Sequence, residues 1–241
     1  MLSYRSMNRL GLLLVFSFAL FCETSLSGRT TLSSEPCLAT YFRQDTTDIQ
    51  MLINGKVWRN LYSRIRGDQF LFSNAFLPGT ITANSRTWNN RDIRYDICTD
   101  ELDIIAEKGM IVQINKELVS AFTINYGNKI YRFIKLDKDS LNNIEGYINV
   151  LYQGTVSLFI KYTKKILPLA VDHKYDAFDQ TERIFMMKDG KMHPIRNKRN
   201  IILLFGNYKK QIKNYIRSNK LRVSKKIPES FIPLAEFCDK L

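Results

Sequence analysis

Histidine is almost missing: the 241 residues contain two, His173 and His193. That scarcity starves most nucleophilic and metal-dependent mechanisms of their usual base or ligand. Cysteine is sparse as well, with four scattered residues that lack metal-ligand spacing. There is no Gly-x-Ser-x-Gly elbow, no Cys-x-x-Cys pair, no glycine loop that could cradle phosphate and no Asn-x-Ser/Thr sequon. The sequence therefore nominates no catalytic, cofactor-binding or metal-binding residue. A long hydrophobic run is also missing: the longest uncharged apolar stretch, residues 10–21, is too short for the ~20 residues that cross a bilayer as a helix.

That stretch has another use. Arg5 and Arg9 precede it, and the small residues Ser25 and Ser27 follow it. This is the layout of a secretory signal peptide, expected over 1–27. Cys22 follows the bulky Phe21 where a lipidation site would carry a small residue, so a lipoprotein is not expected. The expected destination is the periplasm, the outer membrane or the exterior. In such a compartment two of Cys37, Cys98 and Cys238 could pair, although three cysteines make no disulfide framework.

The formal net charge is +13. Its distribution is lopsided: residues 186–241 hold 14 Lys and Arg against 4 Asp and Glu, and the rest is close to neutral. A basic tail invites a nucleic-acid reading. Tyr208 and Tyr215, the aromatics available for base stacking, fall on the tail's apolar stripe, and an exported protein meets little nucleic acid. No nucleic-acid partner is expected.

Residues 28–47, rich in Ser and Thr without periodicity, read as a flexible leader. From 48 to 195 the chain reads as an antiparallel β domain. Ile93, Tyr95 and Ile97 share one face of a strand while Arg94 and Asp96 share the other. Leu102, Ile104 and Ala106 repeat the pattern, as do Met110, Val112 and Ile114. Further strands are expected at Phe122–Tyr126, Ile130–Leu136, Gly146–Tyr152, Val156–Tyr162, Phe185–Lys188 and Met192–Ile195. Gly127-Asn128, Gln153-Gly154 and Asp189-Gly190 supply turns, the last suited to a type I′ hairpin. Val57, Leu61, Tyr62 and Ile65 fit a short helix or a twisted strand equally. Asp172, His173, Asp176, Asp179 and Glu182, with Val171, Tyr175 and Phe178 at helical spacing, read as an amphipathic segment with a solvated acidic face.

After Pro194 the period becomes helical. Residues 196–241 are expected as a basic helical tail on the β domain, with a helix from Lys198 to Lys226. Leu204, Tyr208, Ile212, Tyr215 and Ile216 form its inner stripe and Lys209, Lys210, Lys213 and Arg217 its outer face. A last helix is expected from a Ser230 N-cap, with Leu234, Phe237, Cys238 and Leu241 inward. The fold class is thus mostly β with α: an antiparallel meander, half-barrel or sandwich, closed by C-terminal helices. Arg66-Gly67-Asp68 spells an adhesive tripeptide, but a turn leading into Phe70 explains it as well.

Several segments carry a resemblance: Gly55-Lys56-Val57-Trp58, Gly67-Asp68-Gln69-Phe70-Leu71, Arg94-Tyr95-Asp96-Ile97 and Leu151-Tyr152-Gln153-Gly154, with the tail from Lys191-Met192 through 201–205, 212–221 and 237–241. Together they resemble secreted proteins of gut and oral Gram-negative bacteria that have no established activity. The resemblance implies an exported bacterial β-protein and carries over no catalytic residue.

Three functions follow as expectations. The first is a non-enzymatic envelope or secreted binding protein, whose outer face of Lys209, Lys210, Lys213 and Arg217 would meet an anionic membrane surface or another envelope component. The second is a carrier for an apolar ligand such as a lipid, lined by Tyr95, Ile97, Ile104, Val112, Ile114 and Phe122. The third is an enzyme of unfamiliar chemistry, since sites can be grafted on any fold.

Overall fold

The computed structural model describes residues 55–139 and 141–241. The expected signal peptide, the leader and Cys37 lie outside the described residues.

The strands are β1 (Lys56–Val57), β2 (Leu77–Ala83), β3 (Arg86–Asp96), β4 (Glu101–Ile105), β5 (Ile111–Gln113), β6 (Val119–Tyr126), β7 (Lys129–Asp139), β8 (Ile144–Tyr152), β9 (Ser157–Val171), β10 (Tyr175–Lys188) and β11 (Lys191–Ile195). They form one antiparallel sheet in the order β1-β5-β4-β3-β2-β6-β7-β8-β9-β10-β11. Three helices follow: α1 (Lys198–Leu204), α2 (Lys209–Ser218) and α3 (Ile232–Cys238). The mostly β sheet with C-terminal helices is the architecture the periodicity indicates. Asp189 and Gly190 both take positive φ at the β10–β11 turn, as a type I′ hairpin requires.

The sheet curls without closing. Lys164 N–H of β9 donates to the Ile97 carbonyl just past β3 (3.1 Å), although four strands separate β3 from β9 in the sheet order. Residues 69–71 wedge in beside them: Ile97 N–H donates to Gln69 O and Leu71 N–H to Tyr95 O. Inside the curl, Tyr95, Phe122, Phe133 and Tyr147 interlock. Phe122 stacks on Phe133 at 4.6 Å, and Tyr95 and Tyr147 meet that pair edge-on at 5.0–5.3 Å. Each such ring pair adds about 0.5–1.5 kcal/mol beyond its area burial, so this quartet stabilises the curled sheet. Ile148, Phe159 and Phe185 make a smaller cluster of their own with Ile144.

The helices close one end. α3 packs on β8 and β9, where the Asp239 carboxylate accepts from Tyr152 Oη (2.9 Å), Thr155 Oγ1 and Val156 N (2.6 Å). Ile201, Ile202, Phe205, Ile212, Ile216, Phe231, Leu234 and Cys238 join the main core.

Four expectations are corrected. The tail is not one helix from Lys198 to Lys226. It breaks at Phe205, whose ring is buried, and at Gly206 and Asn207, which are weak helix formers. α2 then ends at Ser218, where Lys220 takes positive φ and Leu221 N–H and Lys220 N–H return to Ile216 O and Arg217 O. These are the two bonds of a Schellman stop. Ser230 does not cap the last helix, because its hydroxyl is bonded to the Ser224 backbone instead. The segment around Val57 to Ile65 is neither helix nor full strand: β1 holds two residues, with turns after it, and Val57 and Leu61 are exposed.

The acidic run is not a helix either. Asp172 and His173, both at positive φ, turn β9 into β10, and Asp176, Asp179 and Glu182 belong to that second strand. Cross-strand pairing with β9 outweighs the helical spacing, and Asp176 falls at an irregularity in that ladder while Asp179 pairs with Lys165. The second face of β3 is buried as well. Arg94, Asp96 and Asp103 are all buried, and the Arg94 guanidinium is packed among the rings of Trp58, Phe70 and Phe76 at 4.5, 3.8 and 4.7 Å.

Candidate functional site: a basic cleft where the sheet splays

The ladder between β8 and β9 is short. It pairs Asn149–Tyr152 with Leu158–Ile160, although β8 starts at Ile144 and β9 runs on to Val171. Beyond it the strands diverge, leaving the backbone of Tyr147 without a strand on that side. Buried backbone polar groups must be satisfied, and here side chains do it: Tyr147 N–H donates to Asp100 Oδ2 (3.1 Å), and Tyr147 O accepts from Lys161 Nζ (2.9 Å). The two side chains bond each other, Lys161 Nζ to Asp100 Oδ1 at 2.9 Å, and the Tyr95 hydroxyl donates to that same oxygen.

The turn after β3 puts Asp100 there in a left-handed conformation (φ 62°). Gly146 makes room for it. Its own φ is +77°, and a Cβ there would stand 1.5 Å from Asp100 Oδ2. Burial holds the Tyr95 and Tyr147 phenols above their usual pKa, and the Asp100 carboxylate pushes both further the same way.

The divergence opens a cleft of about 710 Å³. Its walls come from the turn at 97–100, the β5–β6 connection, β7, the start of β8, β9 and β10. It lies at the end of β8 away from α3, whose terminal Asp239 sits at the β8–β9 turn. Lys116, Lys135, Lys138, Lys161, Lys164, Lys165 and Arg183 line it, against Asp100, Glu117, Asp137 and Glu145. Lys135 is paired with Glu117 (2.7 Å) and Lys164 reaches Asp68 (3.2 Å) and the carbonyls of Asp68 and Phe70. Thr163 and Thr181, opposite each other on β9 and β10, share a 2.7 Å hydroxyl contact on the same wall. The arrangement can hold a polar molecule by charge and hydrogen bonds. Its cations and hydroxyls are donors, and its phenols stay protonated at neutral pH.

Most of the residues singled out from sequence sit elsewhere. Lys209, Lys210, Lys213 and Arg217 all lie exposed on α2, while Ile212 and Ile216 of the same helix are buried. Tyr95, Ile97, Ile104, Val112, Ile114 and Phe122 are each under 5 % exposed and belong to one core cluster with residues of the helices. Of the six, Ile97 lines the large cleft and Ile114 a smaller groove beside Gly55 and Gln113. His173 stands at the β9–β10 turn. Among the described residues, no three His, Cys, Asp or Glu side chains group as metal ligands.

The Arg66-Gly67-Asp68 tripeptide is tied into the fold. Arg66 exchanges backbone hydrogen bonds with Asp176 and Phe178, and Asp68 Oδ1 accepts from Phe70 N. Cys98 and Cys238 are free thiols; burial pushes Cys238 up to about 12.

Sequence reasoning did not find Asp100, Lys161 or the lysines of the cleft. The one signal on offer was local: Lys161, Thr163 and Lys165 alternate along β9, which runs to Val171, past the Tyr162 end expected from sequence. Comparison with protein-family models, with curated proteins and with solved structures finds no match for this chain.

Proposed function

We propose that this chain is an exported, non-enzymatic binding protein that receives a water-soluble small molecule in the cleft between β8 and β9. The observation that carries the reading is the cleft itself. Its volume of about 710 Å³ falls in the range of small-molecule sites, and polar groups from six segments converge on it. Binding is favoured over catalysis by the state of the polar centre. Asp100 and Lys161 are engaged with each other and with the Tyr147 backbone, and the two phenols are held up by burial. A soluble ligand is favoured over a lipid because the apolar interior is already filled by the aromatic quartet and the helices. Export rests on the pattern of residues 1–27.

Native mass spectrometry on protein purified from its own host tests the reading. Thr163→Trp, which fills the cleft with a residue that suits a strand, serves as the control. A bound small molecule present in the wild type and lost in the variant is expected. Ligand-free protein in both, or a molecule retained equally by the variant, would overturn the proposal.

A further inference from the structure

We infer that the ligand of this cleft is a multiply charged oxyanion of the phosphate or sulfate class, held by Lys116, Lys138 and Lys165. The inference rests on the cleft being the ligand site. Three separate segments deliver these lysines to one cavity: the β5–β6 connection, the end of β7 and the middle of β9. All three are exposed, and none forms an ion pair among the described residues. The acids that could neutralise them are partly engaged, since Asp100 is held by Lys161 and Glu117 by Lys135. Asp137 and Glu145 remain against the three lysines and Arg183, whose guanidinium donates to the Asn142 carbonyl.

Cations gathered around one concavity repel one another, and the lower dielectric of a walled cleft strengthens that repulsion. An anion seated among them relieves it. Ammonium groups are compact point charges suited to tetrahedral oxyanions, and the Thr163–Thr181 hydroxyl pair, bonded to each other, keeps one O–H free to donate on the same wall. The basic face of α2 differs in kind: its four cations stand on an exposed helix surface and not around a walled cavity.

Isothermal titration of the full chain tests this with inorganic tripolyphosphate in one arm and a sulfated disaccharide in the other, with maltose as the neutral control. At least one anion should bind, and the arm that responds tells a phosphate source from a sulfated sugar. Binding should weaken tenfold or more between 0.1 M and 1 M salt, as the screening length falls from about 10 Å to about 3 Å. The triple variant K116Q/K138Q/K165Q, changed only at exposed positions, should lose tenfold or more, and the quadruple variant K209Q/K210Q/K213Q/R217Q should bind as the wild type does. Failure of both anions to bind, or equal binding by the triple variant, overturns the inference. Anion binding that survives Thr163→Trp sinks the cleft as the site. A neutral molecule carried from the host and lost in Thr163→Trp, with no anion bound, sinks only the assignment of charge.

Discussion

Asp100 shows how one carboxylate can replace a missing stretch of β ladder. It accepts from Tyr95 Oη, Lys161 Nζ and Tyr147 N, tying the β3–β4 turn to β8 and β9. Removing it would leave a nearly buried ammonium and a backbone N–H without their partner, a loss of roughly 3 kcal/mol for breaking such a pair. Asp100→Ala should lower the urea midpoint accordingly, and Lys161→Met should cost less, because it removes the buried charge along with its partner bond. Equal stability of Asp100→Ala and wild type would remove the carboxylate from its structural role.

Asp103 carries the pH dependence at this scale. Burial pushes its carboxyl up to about 6, although the Arg94 guanidinium beside it pulls the other way, with Nη2 at 2.9 Å and Nε at 3.2 Å. One carboxylate oxygen, Oδ1, has no hydrogen-bond partner among the described residues, which fits a charged form that is poorly solvated. A carboxyl whose folded pKa lies above its unfolded value binds its proton more tightly in the folded state. Its contribution to stability therefore rises as pH falls from above 6 toward 4, by about 3 kcal/mol for a shift of this order. Urea titrations from pH 4 to 7 should show this slope in the wild type and a flatter profile in Asp103→Asn. Parallel profiles would refute the assignment.

At the scale of elements, α3 is docked through its end. Asp239 is held below the usual carboxylate range by the Thr155 hydroxyl, the Val156 N–H and the Tyr152 hydroxyl. A depressed carboxyl stabilises the fold above its unfolded pKa and loses that contribution as pH falls through its folded one. Asp239→Ala should raise amide hydrogen exchange in α3 and in the Tyr152–Val156 turn while leaving β2 to β6 protected. Uniform exchange across the protein would show that the end contact is not what holds the helix.

α2 makes a separate prediction. Its buried Ile212 and Ile216 and exposed Lys209, Lys210, Lys213 and Arg217 give it a dry side and a basic side. We propose that the basic side associates with anionic membrane, where each such residue contributes on the order of 1 kcal/mol. Sedimentation with anionic and neutral vesicles at 0.1 M and 1 M salt checks it. Preference for anionic vesicles at low salt, abolished in the fourfold Gln variant, is expected; no preference leaves α2 as a lid only.

At the scale of the whole molecule, the legible parts were those set by neighbours in sequence. The alternation of Ile93, Tyr95 and Ile97, and of Leu102 and Ile104, announces strands because side chains two apart share a face, and both sets are buried as that face requires. Asp189-Gly190 announces its hairpin because these two residues tolerate positive φ. Ile212 and Ile216 announce a packed helix by their spacing of four. Each is a consequence of local geometry, so the chain by itself determined a mostly β fold with a helical, basic C-terminus.

Tertiary structure decided the rest. The tail's breaks at Phe205 and Lys220, the strand pairing that overrode helical spacing around His173, and the burial of Arg94 under three rings all depend on residues distant in the chain. The cleft depends on them most. Asp100 and Lys161 are 61 positions apart and meet only because the sheet curls enough for Lys164 to bond Ile97. Lys116, Lys138 and Lys165 are ordinary solvated lysines in sequence. They become a constellation only where β8 and β9 part, because side-chain convergence is a property of curvature and register, which periodicity does not encode.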